Sequence, residues 1–374
     1  MKIKTVAYKG SKRKLLENIE HYAKEIGAQS FFDGFSGTGI VGAYMRSKGY
    51  VVQANDMNHS SYIYGKVFLR GFDQDVVDYH LGVMNNLEPV AGWLTENYSG
   101  SVWRKVKPTP LTETEEMMSL PWGHPWTRFK ATLVGGMAWR PLGYTKQNAM
   151  KLDAARDYVA NLSGVHEDNR NALIFSIILA ADKVFNNSND QKSALKEWTS
   201  AAKKGVKFIS PTSIEGPLGK QHSGNIIGMK LKSDLVYLDP PYTHGVLYAS
   251  CYHLSDSIAK WNKPELDHSY AIPRPLEVCY QKNGETAGGF YNKETATAAF
   301  HKIIGDADCK RVLLSYSDAP RNTLTIQELV DACSSYGTVR VESKDHRLCM
   351  QPKNMNKIST SLKEFFIIID KAGV

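Results

Sequence analysis

Apolar residues recur at helical spacing from Leu15 to Ile26 and then close up into Phe31-Phe32, which predicts a helix leading into a short buried strand. The stretch Gly34-Phe35-Ser36-Gly37-Thr38-Gly39 breaks that strand. Helical spacing resumes from Ile40 to Lys48, and Tyr50 to Ala54 is a second strand. This alternation is that of βα units in a parallel sheet. From about Gly71 to Ser163 the pattern changes to helical stretches and a segment rich in Trp and Pro, with Trp103, Pro108, Pro110, Trp122, Pro125, Trp126 and Trp139. It predicts an inserted, mainly helical subdomain. Beyond it, Leu173 to Val184 is an apolar helix, and Leu235 to Leu238, Arg311 to Tyr316 and Glu364 to Ile369 are further buried strands. The fold class is α/β, a doubly wound, mostly parallel sheet with its ligand site at the carboxyl ends of the strands. No internal repeat, low-complexity tract or heptad run is present.

Asp239-Pro240-Pro241-Tyr242 closes the run Leu235-Val236-Tyr237-Leu238. Two successive prolines cannot donate to a sheet ladder, so the strand stops there with the Pro240 carbonyl free as an acceptor. Asp239 is a second acceptor and Tyr242 a ring on which a base could lie, a set suited to a flat, amine-bearing group. A Pro-rich turn after a core strand is the plainer alternative. Upstream, Gly37, Gly39 and Gly42 fit G-x-G-x-x-G, and Asp56 follows at the distance where an acid meets ribose hydroxyls. A nicotinamide-dependent dehydrogenase satisfies the same pattern. Asp33 separates the two, because a carboxylate at the first strand's tip repels a pyrophosphate and attracts an ammonium. Asp33 and Asp56 as helix caps, and Tyr8 and Lys12 as surface residues, are the alternatives if each stood alone.

A formal charge of +8 and a pI near 9.0 are compatible with a polyanionic partner without demanding one. Cys251, Cys279, Cys309, Cys333 and Cys349 have neither C-x-x-C nor zinc spacing, so they predict reduced thiols and no metal. The first fourteen residues lack an apolar signal core and no apolar run is long enough for a bilayer, so the expectation is a soluble, cytoplasmic protein with no membrane partner.

Tyr8-Lys9-Gly10-Ser11-Lys12, Asp33-Gly34-Phe35-Ser36-Gly37-Thr38-Gly39 and Asp239-Pro240-Pro241-Tyr242 resemble, in that order, the motifs of DNA adenine-N6 methyltransferases of the Dam-like class. The resemblance is closer to methylases of the FokI type, through Asn148-Ala149-Met150-Lys151-Leu152-Asp153, the stretch Asp182 to Trp198, Tyr252-His253-Leu254 and Leu314-Ser315-Tyr316-Ser317. It implies a Rossmann-like methyltransferase fold, S-adenosylmethionine as cofactor, and double-stranded DNA as partner, from which a target base is flipped out. Asp239, Pro240, Pro241 and Tyr242 are then the catalytic set. Tyr8, Gly10 and Lys12 lie at the cofactor's methionine end or near the flipped base, Asp33 on the methionine ammonium, Phe35 in the pocket lining, Gly37 and Gly39 at the close approach, and Asp56 on the ribose. Where the family carries an acid for the cofactor's adenine amine, this chain has Asn225, whose amide oxygen still accepts a hydrogen bond.

The resemblance implies a discontinuous catalytic domain, residues 1–70 and 171–374. A helical insertion over 71–170 is expected to read the target, and an insertion over 243–300 to act as a lid or DNA-contacting loop. Arg104, Arg128, Arg140 and Arg274 are candidates for guanine or phosphate contact. His124 is not a credible general base, and Tyr252 and His253 read as packing residues. The chemistry leaves cytosine N4 and RNA adenine as rival targets, and a catalytically silent DNA-binding protein as a rival of another class. The host, bacterial or phage, a cognate restriction endonuclease, and the choice between monomer and dimer stay open.

Overall fold

The structure, a computed structural model, describes residues 3–8, 10–105, 137–187, 191, 195, 197–241, 248–280, 289–290, 292–319, 322–346 and 362–371. Its strands are, in chain order, β1 (Ser30–Asp33), β2 (Val51–Asp56), β3 (Ser101–Lys105), β4 (Met137–Pro141), β5 (Lys220–Ser223), β6 (Leu235–Leu238), β7 (Leu266–Asp267), β8 (Arg274–Pro275), β9 (Arg311–Ser317), β10 (Gly337–His346) and β11 (Leu362–Lys371). The chain forms two compact units: residues 1–72, 212–249 and 281–374, and residues 73–211 and 250–280.

The first unit is built on a seven-stranded sheet in the order β10-β11-β9-β6-β1-β2-β5. The strands are parallel except β11, which runs antiparallel between β9 and β10. The central strands β6 and β9 are buried at every position, and Phe31 and Phe32 of β1 are wholly buried, as expected of strands covered on both faces. One core cluster joins Phe32, Val236 and Leu314 of the sheet to Phe300 and Ile303 of the helix Lys293–Asp306. Asp234 ties three strand starts together: it accepts from the amides of Gln29 and Ser30, each at 2.9 Å, and pairs with Lys310 Nζ at 2.8 Å. Burial pushes its pKa up, but these donors outweigh it and hold the carboxyl well below its usual range.

Two strands of this sheet, β5 and β10, are not apparent in the apolar pattern. Both lie at sheet edges, where among the described residues one side has no strand neighbour and polar residues such as Lys220, His222, Arg340 and Glu342 are tolerated.

The second unit is mainly helical, with helices Gln74–Asn86, Trp93–Tyr98, Lys146–Ala160 and Glu167–Val184 and the antiparallel β3–β4 hairpin. Helix Glu167–Val184 buries residues around its whole circumference, so it needs neighbours on every side; it packs on Gln74–Asn86 and Lys146–Ala160 within this unit, which continues to Pro211. Residues quoted for the family resemblance act as scaffold here. Asn148 donates to the carbonyls of Ala202 and Lys204, both at 2.9 Å, and Asp153 accepts from the amides of Leu94 and Thr95 at 2.9 and 2.8 Å, satisfying the start of helix Trp93–Tyr98.

Candidate active site

The pleat places the site. Asp33 pairs in register with Tyr237, Tyr237 with Leu313, and Leu313 with Ile368. Side chains directly opposite one another share a face, and the period is two. Asp33, Asp56, Ser315 and Glu364 therefore project on one side of the sheet, the side that the alternation continues to Asp239 two residues beyond Tyr237.

Both ladders of β6 end by Leu238, as the two prolines require, so Asp239 sits just past the hydrogen-bonded strand. Its Oδ1 lies 3.0 Å from Lys12 Nζ, and Lys12 Nζ lies 2.9 Å from Glu364 Oε1. Ser315 Oγ donates to the same Glu364 oxygen at 2.5 Å. Lys12 and Glu364 are only 5 % and 2 % exposed, so one ammonium is shared between two carboxylates away from water. Burial raises the Asp239 pKa, Lys12 pulls it back and Glu364 adds to the rise, leaving it at about 6.

Asp33, at the tip of β1, is buried and neither of its oxygens accepts a well-formed hydrogen bond. Burial pushes its pKa up to about 8, with Asp239 and Asp56 adding repulsion and the Phe35 and Gly42 amides opposing it. Such a carboxyl is costly to ionise where it stands, and ionising it calls for a cationic group beside it. The ammonium of S-adenosylmethionine fits that requirement. A pyrophosphate does not, with Asp33, Asp56 and Asp239 all on its side, which removes the support for a dehydrogenase.

The turn after β1 is a close-approach backbone. Gly37 and Gly39 hold φ of +50° and +72°, in the left-handed region. A Cβ on Gly37 would lie 2.8 Å from Tyr8 Oη, and one on Gly39 2.9 Å from the Phe68 ring. Tyr8 is hydrogen-bonded through its hydroxyl to Tyr248. Asp56 accepts from Gly37 N–H at 2.8 Å and from Asn58 N–H at 2.9 Å. Phe35 packs edge-on against Phe290, with ring centres 5.2 Å apart. Gly10, at φ +79°, provides the bend that leads the chain to Lys12.

Asn225 follows β5, exposed, and its Oδ1 accepts from Ile227 N–H at 3.0 Å, so its acceptor is engaged in a local turn. Tyr242 lies outside the described residues, as do Arg128 and the side chains of Arg104 and Arg140. Pro240 is buried and Pro241 half-buried. In the second unit Arg274 lies over the Tyr270 ring at 4.0 Å. His253 is buried there, with Nε2 2.9 Å from the Pro273 carbonyl, and burial together with the Arg274 charge pushes its pKa down to about 3. That setting is one of packing.

Lys12 thus lies beside Asp239, together with Glu364, a residue the sequence pattern does not single out. Its signal was the acid at the head of Phe365-Phe366-Ile367-Ile368-Ile369, a charge where an apolar strand begins.

Residues 8–272 match the family profile of D12 class N6 adenine-specific DNA methyltransferases. The chain is 26 % identical to the modification methylase LlaI of Lactococcus lactis subsp. lactis over 91 % of its length, and 27 % identical to the type II methyltransferase M.FokI of Planomicrobium okeanokoites over 97 %. It spans about half the length of these two relatives, 51 % and 52 %. With the type II methyltransferase M.NlaIII of Neisseria lactamica it shares 24 % identity over 97 % of the chain and 99 % of the relative.

Proposed function

The chain belongs to the D12 class of N6 adenine-specific DNA methyltransferases, and from that premise we infer that it methylates the N6 amine of adenine at a specific short sequence in double-stranded DNA, with S-adenosylmethionine as methyl donor. The single observation that carries this reading is the pairing, on one face of the sheet, of Asp239 beside Lys12 with the partnerless Asp33 at the neighbouring strand tip.

An exocyclic amine is a poor nucleophile because its lone pair is delocalised into the ring. Asp239 and the Pro240 carbonyl each accept one N–H from it, which favours the pyramidal nitrogen of the transition state over the planar ground state. Asp239 serves only as a carboxylate, since its protonated form loses acceptor capacity. Holding the base in a fixed orientation supplies much of the remaining acceleration, and Tyr242 is assigned to stack on the flipped base. When bound, S-adenosylmethionine supplies an electrophilic methyl group. Asp33 would pair with its ammonium, Gly37 and Gly39 let the backbone approach it, Asp56 faces the ribose, Phe35 lines the pocket, and Asn225, whose Oδ1 keeps a second lone pair beside the Ile227 bond, is assigned to its adenine edge. Tyr8 and Gly10 shape the same end of the site.

Target reading is assigned to the helical insertion over 71–170 and to the 243–300 insertion, with Arg274 a candidate contact. Among the described residues no helix is long and apolar enough to cross a membrane. A cytoplasmic location and a cognate restriction endonuclease are the setting we propose, in keeping with the modification methylases it resembles.

The test is incubation of the purified protein with S-adenosylmethionine and unmethylated DNA of diverse sequence, followed by digestion to nucleosides and mass spectrometry. N6-methyladenine is the expected product. N4-methylcytosine would reassign the base, and unmodified DNA with the donor bound would overturn the activity.

A further inference from the structure

Glu364 stands where the strand does not need it. Its neighbours Phe366, Ile367, Ile368 and Ile369 are completely buried, and Glu364 itself is 2 % exposed. An apolar residue of similar volume would serve the sheet as well or better, because a buried ion pair seldom repays its desolvation. What the carboxylate does have is a defined set of donors, Ser315 Oγ at 2.5 Å and Lys12 Nζ at 2.9 Å, and through that ammonium a connection to Asp239 Oδ1 at 3.0 Å. Lysine side chains are long and lose rotamer freedom when fixed. Lys12 comes from the short helical turn Lys12–Lys14, near the start of the chain, and must be held from the far side to keep its ammonium on Asp239.

We propose that Glu364, oriented by Ser315, is a positioning residue of the methyl-transfer centre, anchoring Lys12 so that the ammonium fixes one oxygen of Asp239 and leaves the other for the target amine. The inference rests on the reaction proposed above. It assigns a reaction-centre role to strands β9 and β11, which carry none of the cofactor residues. The charge state of Asp239 is then set by a balance of Lys12 against Glu364, with Asp33 on β1, Asp56 on β2 and the Tyr237 phenol on β6 on the same face; Arg311 on β9, Asp370 on β11, and Arg340, Glu342 and Lys344 on β10 share that face by register, and Arg311 is paired with Glu25 and Asp370.

The balance gives opposite signs for two substitutions, which a purely structural network does not. Glu364→Gln keeps an oxygen for Lys12 and Ser315 but removes a negative neighbour, so Asp239 should titrate about one pH unit lower. Lys12→Met removes the positive neighbour and should move Asp239 about one unit higher. The 374-residue chain labelled with carbon-13 at aspartate carboxyls, with Asp239 assigned by the loss of its signal in Asp239→Asn, reads both shifts by NMR. The acid limb of kcat/KM against pH should follow each, while Glu364→Asp, which retains the charge, should stay near the wild-type midpoint. An Asp239 midpoint unmoved in Glu364→Gln, or displaced in the same direction by both variants, overturns the proposal. If the wild-type protein does not methylate adenine, the reaction assignment fails on its own, and the carboxyl titrations still decide whether Glu364 governs Asp239. Should Glu364→Gln not fold, the Lys12→Met shift and the Glu364→Asp midpoint carry the test.

Discussion

Gly37 donates its backbone N–H to Asp56 Oδ2 at 2.8 Å, tying the glycine turn after β1 to the tip of β2. The other Asp56 oxygen accepts from Asn58 N–H at 2.9 Å. An acid that the family resemblance places on a ribose is thus also the brace of the loop beneath it. Asp56→Ala strands two amides, each hydrogen bond to a charged group being worth ~1.5–3 kcal/mol. S-adenosylmethionine affinity is expected to fall at least tenfold, with kcat at saturating donor much less affected. Calorimetric titration together with steady-state kinetics separates the two.

Asp33 carries a cost of stability that ligand binding should offset. Folded, it retains its proton to about pH 8 because of burial and the Asp239 and Asp56 charges. Unfolded, it loses that proton near the model-peptide value of ~3.9. Between those values the folded state binds more protons than the unfolded state, so this group's contribution to stability declines as pH rises through the window. Asp33→Asn is therefore expected to raise the melting temperature at pH 8 relative to wild type, with little effect at pH 4, and to abolish donor binding. A thermal scan at both pH values checks the first half; a variant less stable than wild type at pH 8 contradicts it.

The same carboxyl makes donor binding proton-linked. An ammonium beside Asp33 pulls its pKa down, so binding at neutral pH should release a proton and tighten as pH rises toward 8. Calorimetry in two buffers of different ionisation enthalpy measures the proton release directly. Equal heats in both would remove the assigned contact.

Asp239→Ala should leave DNA binding within a few-fold of wild type and reduce methyl transfer by on the order of a thousandfold, the scale for losing a preorganised transition-state partner. Transfer of a labelled methyl group and a gel-shift titration read the two quantities. Because the Asp239 pKa in the free protein lies at about 6, kcat/KM should decline as pH falls through that value.

Gly34 lies against the base of the site. A Cβ there would meet Ile226 Cδ1 at 2.6 Å and Leu238 Cδ2 at 2.8 Å, both core side chains. Gly34→Ala is expected to cost ~1–3 kcal/mol by overpacking and to lower the denaturation midpoint in urea. A midpoint equal to wild type would mean that the β1–β6 junction yields without strain.

The α/β class, the central strands and the abrupt end of β6 at Asp239-Pro240-Pro241 were legible in the sequence because each is a local matter. Leu235-Val236-Tyr237-Leu238 is buried on both faces and so is continuously apolar, and Pro240-Pro241 must end it. Gly37 and Gly39 announce a turn that needs φ above zero. Edge strands β5 and β10 stayed hidden since a half-covered strand needs little apolar sequence. The helix Glu167–Val184 showed its apolar character but not its partners, which lie elsewhere in its own unit. What only the tertiary structure decided is register. The pairing that sets Tyr237 beside Leu313 and Leu313 beside Ile368 puts Glu364 and Ser315 on the same face as Asp239, more than a hundred residues away from it in one case and seventy-six in the other. A slip of one residue would have turned both to the opposite side. Sequence order gives the alternation of faces, but the choice of which face meets which neighbour comes from how the strands stack their apolar residues against the helices.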